Sequence, residues 1–339
     1  MRRRLITIPT VLLLTIMATL LLPALLLIGL LMTALPRYRG TIPTLLFVLG
    51  YLWCETVGIT RSFYIWLRYR DPSRFIAANY RLQYWWTGAL KHIAECVFRL
   101  RFEVHGEDAL RGAPALVLPR HASIADTVIP MVFYAMPRQV RLRYVLKKEL
   151  LLDPCLDIVG NRLPNYFVDR DGQDSAKARE GVGQLVAQLK IDEGVLIYPE
   201  GTRFSETKRA ALRARYAEVP EMLAQLDRWK VLLPPRLGGT LALLNGNPGR
   251  DLLFCAHSGF EGSSHFSNLI NGSWMRAHIN ITFWRVPFSE IPKDVPGQVE
   301  FLFRQWDRMH DEVTSSRQQT PEAQRPADSQ AARSSRTDA

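Results

Sequence analysis

Residues 118–128, LPRHASIADTV, set a histidine, His121, five positions before an aspartate, Asp126, directly after a short apolar run. An imidazole held by a carboxylate can take a proton from a hydroxyl. The acid fixes the ring tautomer and stabilises the imidazolium that forms. Five residues along a regular helix turn through about 500°, which would leave the two side chains ~140° apart. The pair meets only if His121 stands on the turn leaving a strand ALVLP (115–119) and Asp126 stands near the start of a following helix. Pro119 closes the strand, and SIADTVIPMVFYAM (123–136) can begin that helix. The same spacing also suits a histidine that only caps a helix.

A second polar turn follows the apolar run GVLIYP (194–199) in IYPEGTRFSETK (197–208). Gly201 permits close backbone approach, Thr202 supplies a hydroxyl, and Arg203 offers a planar fork suited to phosphate. Glu200 shapes the turn, and Lys208 and Arg209 add positive potential. Taken alone, this is also what a surface loop with an exposed arginine looks like. Neither turn calls for a metal, since the seven histidines are scattered and no CxxC pair occurs.

Positioning two such turns requires strands that end on one edge. From residue 100 onward, short apolar runs bounded by turn residues recur: ALVLP, LRYVLK (142–147), NYFVD (165–169), GVLIYP, VLLP (231–234), LLFCAH (252–257) and HINITFW (278–284). Runs of this length read as buried strands. Helical patterns lie between them, clearest in SAKAREGVGQLVAQLK (175–190) and in PEMLAQLDRWK (220–230), which has proline in its first turn. Strands alternating with helices predict an α/β fold with a partly parallel sheet flanked by helices, and chemistry just beyond the carboxyl ends of its strands.

The amino-terminal part has another texture. No charged residue lies between Arg4 and Arg37, a stretch longer than the ~20 apolar residues that cross a bilayer and far longer than a signal-peptide core. A second apolar segment, residues 41–60, carries Glu55 and either spans or returns as half of a hairpin in one leaflet. Residues 61–99 begin with alternating aromatic and basic residues, the composition of an interfacial belt. A nucleic-acid surface has a similar composition. Position beside the apolar segments favours lipid, with no nucleic acid as partner; a buried amphipathic helix stays open. The formal net charge of +11 fits an anionic surface or a phosphorylated substrate. The division expected is therefore a membrane-anchoring helix or hairpin (1–60), an amphipathic interfacial segment (61–99), an α/β domain (100–310) and a disordered tail (311–339) poor in bulky apolar residues.

Several blocks together resemble the lysophosphatidic acid acyltransferase family of glycerolipid enzymes. His121, Ser123 and Asp126 match its HxSxxD block, YFVDR (166–170) its second, YPEGTRFS (198–205) its third, and VLLPPRLGG (231–239) its fourth, in the family's order. Arg120 stands where the family usually has Asn, and Pro164 where it usually has Gly. The resemblance implies transfer of a fatty acyl group from acyl-CoA or acyl carrier protein to a lysophospholipid hydroxyl. Lysophosphatidic acid is the first expectation and lysophosphatidylinositol the alternative. His121 and Asp126 would be catalytic. Arg203, helped by Arg170 and Lys147, would hold the acceptor phosphate, with Glu200, Gly201 and Thr202 forming the turn and Arg236 a further contact. Backbone donors near the glycine turn would face the oxyanion. No cofactor is expected beyond the thioester co-substrate. The partners are the phospholipid bilayer, the acceptor and the donor. The location expected is a membrane with the catalytic domain on its cytoplasmic face, the inner membrane if the source is bacterial. No GxSxG elbow occurs, which weighs against a serine lipase.

Overall fold

The computed structural model describes residues 2–168, 175–261, 263 and 266–319. A seven-stranded sheet runs in the order β1-β7-β6-β2-β5-β3-β4. Its strands are β1 (Arg101–His105), β2 (Leu116–Pro119), β3 (Arg141–Lys147), β4 (Tyr166–Val168), β5 (Glu193–Leu196), β6 (Leu252–Ser258) and β7 (His278–Val286). All neighbours pair parallel except β6 and β7, which are antiparallel. The α/β class and the partly parallel sheet are as the sequence predicts.

Alternation along β2 shows why this strand is central. Ala115 and Val117 point into one apolar core, Leu116 and Leu118 into the other, and all four are fully buried. A strand covered on both faces must be apolar at every position. One face is covered by α4 (Pro72–Phe98), the other by α7 (Ser175–Ala187), α10 (Leu237–Asn245) and α11 (Val295–Gln319). Smaller helices fill the connections: α5 (Met136–Arg138), α6 (Pro154–Gly160), α8 (Glu206–Arg215) and α9 (Pro220–Arg228).

The amino-terminal helices α1 (Arg2–Leu20), α2 (Leu22–Met32) and α3 (Thr41–Arg68) form a hairpin lying along the domain. Arg2–Leu20 and Pro36–Arg68 are long and apolar enough to cross a membrane. The hairpin is nevertheless fastened to the domain along its length. At the tip, the N–H of Gly40 donates to the carbonyl of Ile270, at 2.9 Å. Midway, Glu55 accepts from the Trp86 indole at 2.7 Å and the Cys155 N–H at 3.0 Å. At the open end, Arg162 donates to Ser62 Oγ at 2.7 Å, and Arg3 and Arg4 both pair with Asp157. The one acid of the second apolar segment is therefore sealed against protein. Much of the outward face is bare: Leu5, Leu20, Leu31, Phe63, Tyr64 and Trp66 are at least half exposed.

Four expectations need correction. The boundary at residue 60 falls inside the unbroken helix α3. Only the first part of 61–99 presents aromatics outward. In α4, Tyr80, Tyr84 and Phe98 are buried, so α4 is the amphipathic core helix that was left open. The run 231–234 is not a strand: Leu232 and Leu233 are buried, but the Leu233 backbone bonds to the side chains of Glu200 and Trp306 instead of a neighbouring strand. The tail does not begin at 311, because α11 continues to Gln319, with Val313 in the core and Arg317 paired to Glu261. One bulky residue and one arginine suffice there, because the rest of the turn faces water.

Candidate active site

Strands β6, β2, β5 and β3 are mutually parallel neighbours, so their carboxyl ends share one edge of the sheet. His121 leaves β2 there, the turn 198–203 leaves β5, Lys147 ends β3, and His257 lies in the last turn of β6. The sequence brings these residues together through the sheet order, not through proximity in the chain.

His121 Nδ1 lies 2.9 Å from Asp126 Oδ2. The helix expected at 123 does not start there. Residues 121–128 form an irregular turn, and helical backbone begins at 129, opening into a wide π turn over Met131–Ala135. Asp126 organises that turn: Oδ2 also accepts the N–H groups of Ala122 and Ser123. Ser123 Oγ accepts from Ala125 N at 3.1 Å, a local turn bond. The His121 ring stacks on Tyr198, with centroids 4.3 Å apart. Its orientation is thus fixed from the face and from one edge.

Burial opposes ionisation of Asp126, but the imidazoles of His257 and His121 outweigh it and hold the carboxyl well below its usual range. An ionised Asp126 accepts a hydrogen bond from Nδ1–H, so the lone pair of His121 resides on Nε2. Burial is also the main influence on His121 and lowers its pKa. Asp126 opposes this, while the positive charges of Arg203 and Lys147 lower it further. His121 is therefore neutral near pH 7, as a base must be before it takes a proton. The N–H of Phe204, next to Arg203, donates to the His121 carbonyl at 2.7 Å, and Lys147 ends β3 on the same edge of the sheet.

The second turn is built around Glu200, whose carboxylate is fully inside the protein. Oε1 accepts from His121 N at 2.6 Å and Oε2 from Leu233 N at 2.9 Å. Glu200 thus ties the two turns to the loop after α9, and its effect on a substrate is indirect. Burial pushes its pKa up to about 8 against the pull of those two N–H donors. Gly201 has φ +64, and a Cβ there would stand 2.7 Å from Arg236 Cδ, so the glycine admits the Arg236 side chain across the turn. Its own N–H is taken by the Tyr198 carbonyl, at 2.9 Å, and is not an oxyanion donor. Thr202 Oγ1 accepts from Lys208 Nζ at 2.9 Å, which also donates to the Arg203 carbonyl. Arg203 is half-buried beside them. Of the candidate residues, His121, Asp126, Glu200, Gly201, Thr202, Arg203, Lys147 and Arg236 share this edge; Arg170 lies outside the described residues.

Two further residues belong to the site: His257, which gave no signal in the sequence, and Arg120, visible there only as a departure from the family block. His257 Nε2 stands 3.2 Å from Asp126 Oδ1, on the side away from His121. Arg120 is completely buried, bonded to the His257 and Val231 carbonyls and paired with Glu261 at 2.9 Å. Glu261 in turn holds Arg317 of α11 at 3.0 Å. The departure at position 120 is therefore matched by an acid that the family block does not contain. Among the described residues no cluster of three metal-ligating side chains occurs.

The acyltransferase family model matches residues 101–228. A 1-acyl-sn-glycerol-3-phosphate acyltransferase of Pseudomonas aeruginosa is 31% identical over 169 residues, 48% of this chain. The match spans only 59% of that relative's length. The crystal structure of the 1-acyl-sn-glycerophosphate (LPA) acyltransferase PlsC from Thermotoga maritima superposes with a TM-score of 0.52 at 14% identity, covering 82% of this chain and 99% of that one. At that identity the likeness is one of fold. Residues 101–228 thus match the acyltransferase family model, and the chain is similar in sequence to one 1-acyl-sn-glycerol-3-phosphate acyltransferase and in fold to another.

Proposed function

We propose that the protein moves a fatty acyl group from a thioester, acyl-CoA or acyl carrier protein, to the free sn-2 hydroxyl of a lysophospholipid. The first acceptor is 1-acyl-glycerol-3-phosphate, giving phosphatidic acid. His121 Nε2 takes the proton of the acceptor hydroxyl as its oxygen attacks the thioester carbonyl carbon. Asp126 stabilises the imidazolium. The tetrahedral intermediate collapses, the carbon–sulfur bond breaks, and the departing thiolate takes the proton from His121. An ester and a free thiol result, with no acyl-enzyme intermediate.

The observation that carries the reading is geometric. His121 is 2.9 Å from Asp126, the His121 carbonyl accepts from the N–H of Phe204, the neighbour of Arg203, at 2.7 Å, and Lys147 ends β3 on the same edge. A proton acceptor beside a phosphate-sized positive field suits an alcohol that carries a phosphate. Arg203 is assigned to that phosphate, with Lys147 and Arg236 beside it. Phosphate bound there would also offset the cations and raise the basicity of His121.

The bilayer supplies both lipid substrates, and the hairpin is assigned to hold the domain against it. Contacts from the tip of α3 to its end favour a hairpin lying in one leaflet over two crossings. The cytoplasmic face is the side assigned to the domain. The deciding experiment offers purified protein in detergent one labelled acyl-CoA and a panel of lysophospholipids, with products identified by mass. Labelled phosphatidic acid as the main product supports the reading. Free fatty acid regardless of acceptor would replace it with a thioesterase.

A further inference from the structure

A polar cavity opens far from His121, at the amino end of β3. It encloses about 320 Å³ and is lined by Ile76, Arg141, Arg143, Arg162, Lys190 and Glu193, among others. Arg141 and Lys147 occupy opposite ends of β3. Six residues at about 3.3 Å each put this cavity ~20 Å along the strand from the acyl-transfer edge.

Its charges do not balance. Arg143 pairs with Glu193 and Arg141 with Asp192. Arg162 donates only to neutral oxygens, those of Ser62 and Asn79. Among the described residues neither Arg162 nor Lys190 has a carboxylate partner. Four cations against two acids around a half-closed space repel one another, and a single anion with several oxygens would offset that repulsion.

The neighbourhood says where such an anion comes from. Arg162 is gripped by Ser62 in the last turns of α3 and lies over the Phe75 ring, 5.2 Å from its centroid. The same end of α3 carries Phe63, Tyr64, Trp66 and Leu67 exposed. Exposed aromatics beside arginines are suited to headgroup depth. We propose that this cavity binds the phosphate group of an anionic phospholipid, as a site separate from the acyl-transfer edge. The assignment is independent of the reaction proposed above.

The test uses the full chain in an uncharged detergent, in an Arg203→Ala background that removes the acceptor-phosphate cation. The midpoint of thermal unfolding is read with phosphatidylglycerol in the micelles, with phosphatidylcholine at the same mole fraction, and with inorganic phosphate alone. Phosphatidylglycerol is expected to raise the midpoint by about 2–4 °C, with no change from phosphatidylcholine. Arg162→Gln and Lys190→Glu should each remove the rise. Lys190 is exposed, so its variant remains informative if Arg162→Gln fails to fold. A rise with inorganic phosphate as large as with phosphatidylglycerol overturns the lipid source and leaves a site for soluble phosphate. No rise with either, or a Lys190→Glu protein that responds as its parent does, overturns the site.

Discussion

The Nε2 atom of His257 lies 3.2 Å from Oδ1 of Asp126, and both side chains are essentially inaccessible to water. Asp126 therefore has an imidazole at each end, and only one of them, His121, is partly open to solvent. His257 Nε2 faces the oxygen that His121 leaves free at ion-pair distance, and also lies 3.3 Å from the Arg120 carbonyl. Without His257, the carboxylate's charge would fall more fully on His121. His257→Leu is expected to lower kcat with little change in KM and to move the acid limb of the pH–rate profile to higher pH. His257→Gln, which keeps a donor, should restore both. An unmoved limb in the leucine variant would reduce His257 to packing.

The dyad itself gives the sharpest loss. General-base catalysis by a positioned group contributes ~10²–10⁴-fold, and His121→Ala should lose about that much turnover. It should still fold and bind membranes, since His121 contributes little to either core. Near-normal turnover by purified His121→Ala would end the mechanism.

The acid limb of the wild-type profile should lie below the ordinary imidazole range. The folded pKa of His121 is depressed by burial first and by Arg203 and Lys147 after it, and activity requires the neutral ring. Arg203→Ala removes one of those charges, so its acid limb should shift upward. The same variant should raise KM for a phosphorylated acceptor by about 10–100-fold, as loss of a charge-assisted hydrogen bond implies. KM for the thioester should change little. Equal losses for both substrates would detach Arg203 from the phosphate.

Glu261 stands between Arg120 and Arg317, and Arg120 has no water around it. Removing one partner of a buried pair typically costs ~3–5 kcal/mol, and Glu261→Ala should destabilise the protein by about that. Chemical denaturation measures it. A change under about 1 kcal/mol would mean that the pair behaves as a surface one.

Gly201→Ala forces a side chain into left-handed backbone and against Arg236. A loss of ~1–2 kcal/mol in stability is expected from the backbone alone. A raised acceptor KM should accompany it if Arg236 contributes to binding. Stability and kinetics of that one variant separate the two effects.

Much of this site could be read from residue order. His121 and Asp126 were legible because a strand end, a proline and a polar turn lie within eleven residues, and the glycine turn because it follows an apolar run. His257 was not: its 131st-neighbour-scale separation from Asp126 is bridged only by the pairing of β2 with β6, which no local pattern encodes. Arg120 was legible as a departure from the family block, but its burial and its pairing with Glu261 are not encoded near it in the chain. The run 231–234 read as a strand because four apolar residues in a row do not reveal where their backbone groups bond. The carboxyl-terminal turn was misjudged for the opposite reason: composition averages over residues, and Val313 and Arg317 each act alone.

The clips at both extremities of the amino-terminal hairpin have a mechanical consequence. The hairpin is bonded to the α/β domain at Gly40 and again through Arg3, Arg4 and Ser62. Like a keel joined to its hull at bow and stern, it could shift against the domain only by breaking those bonds.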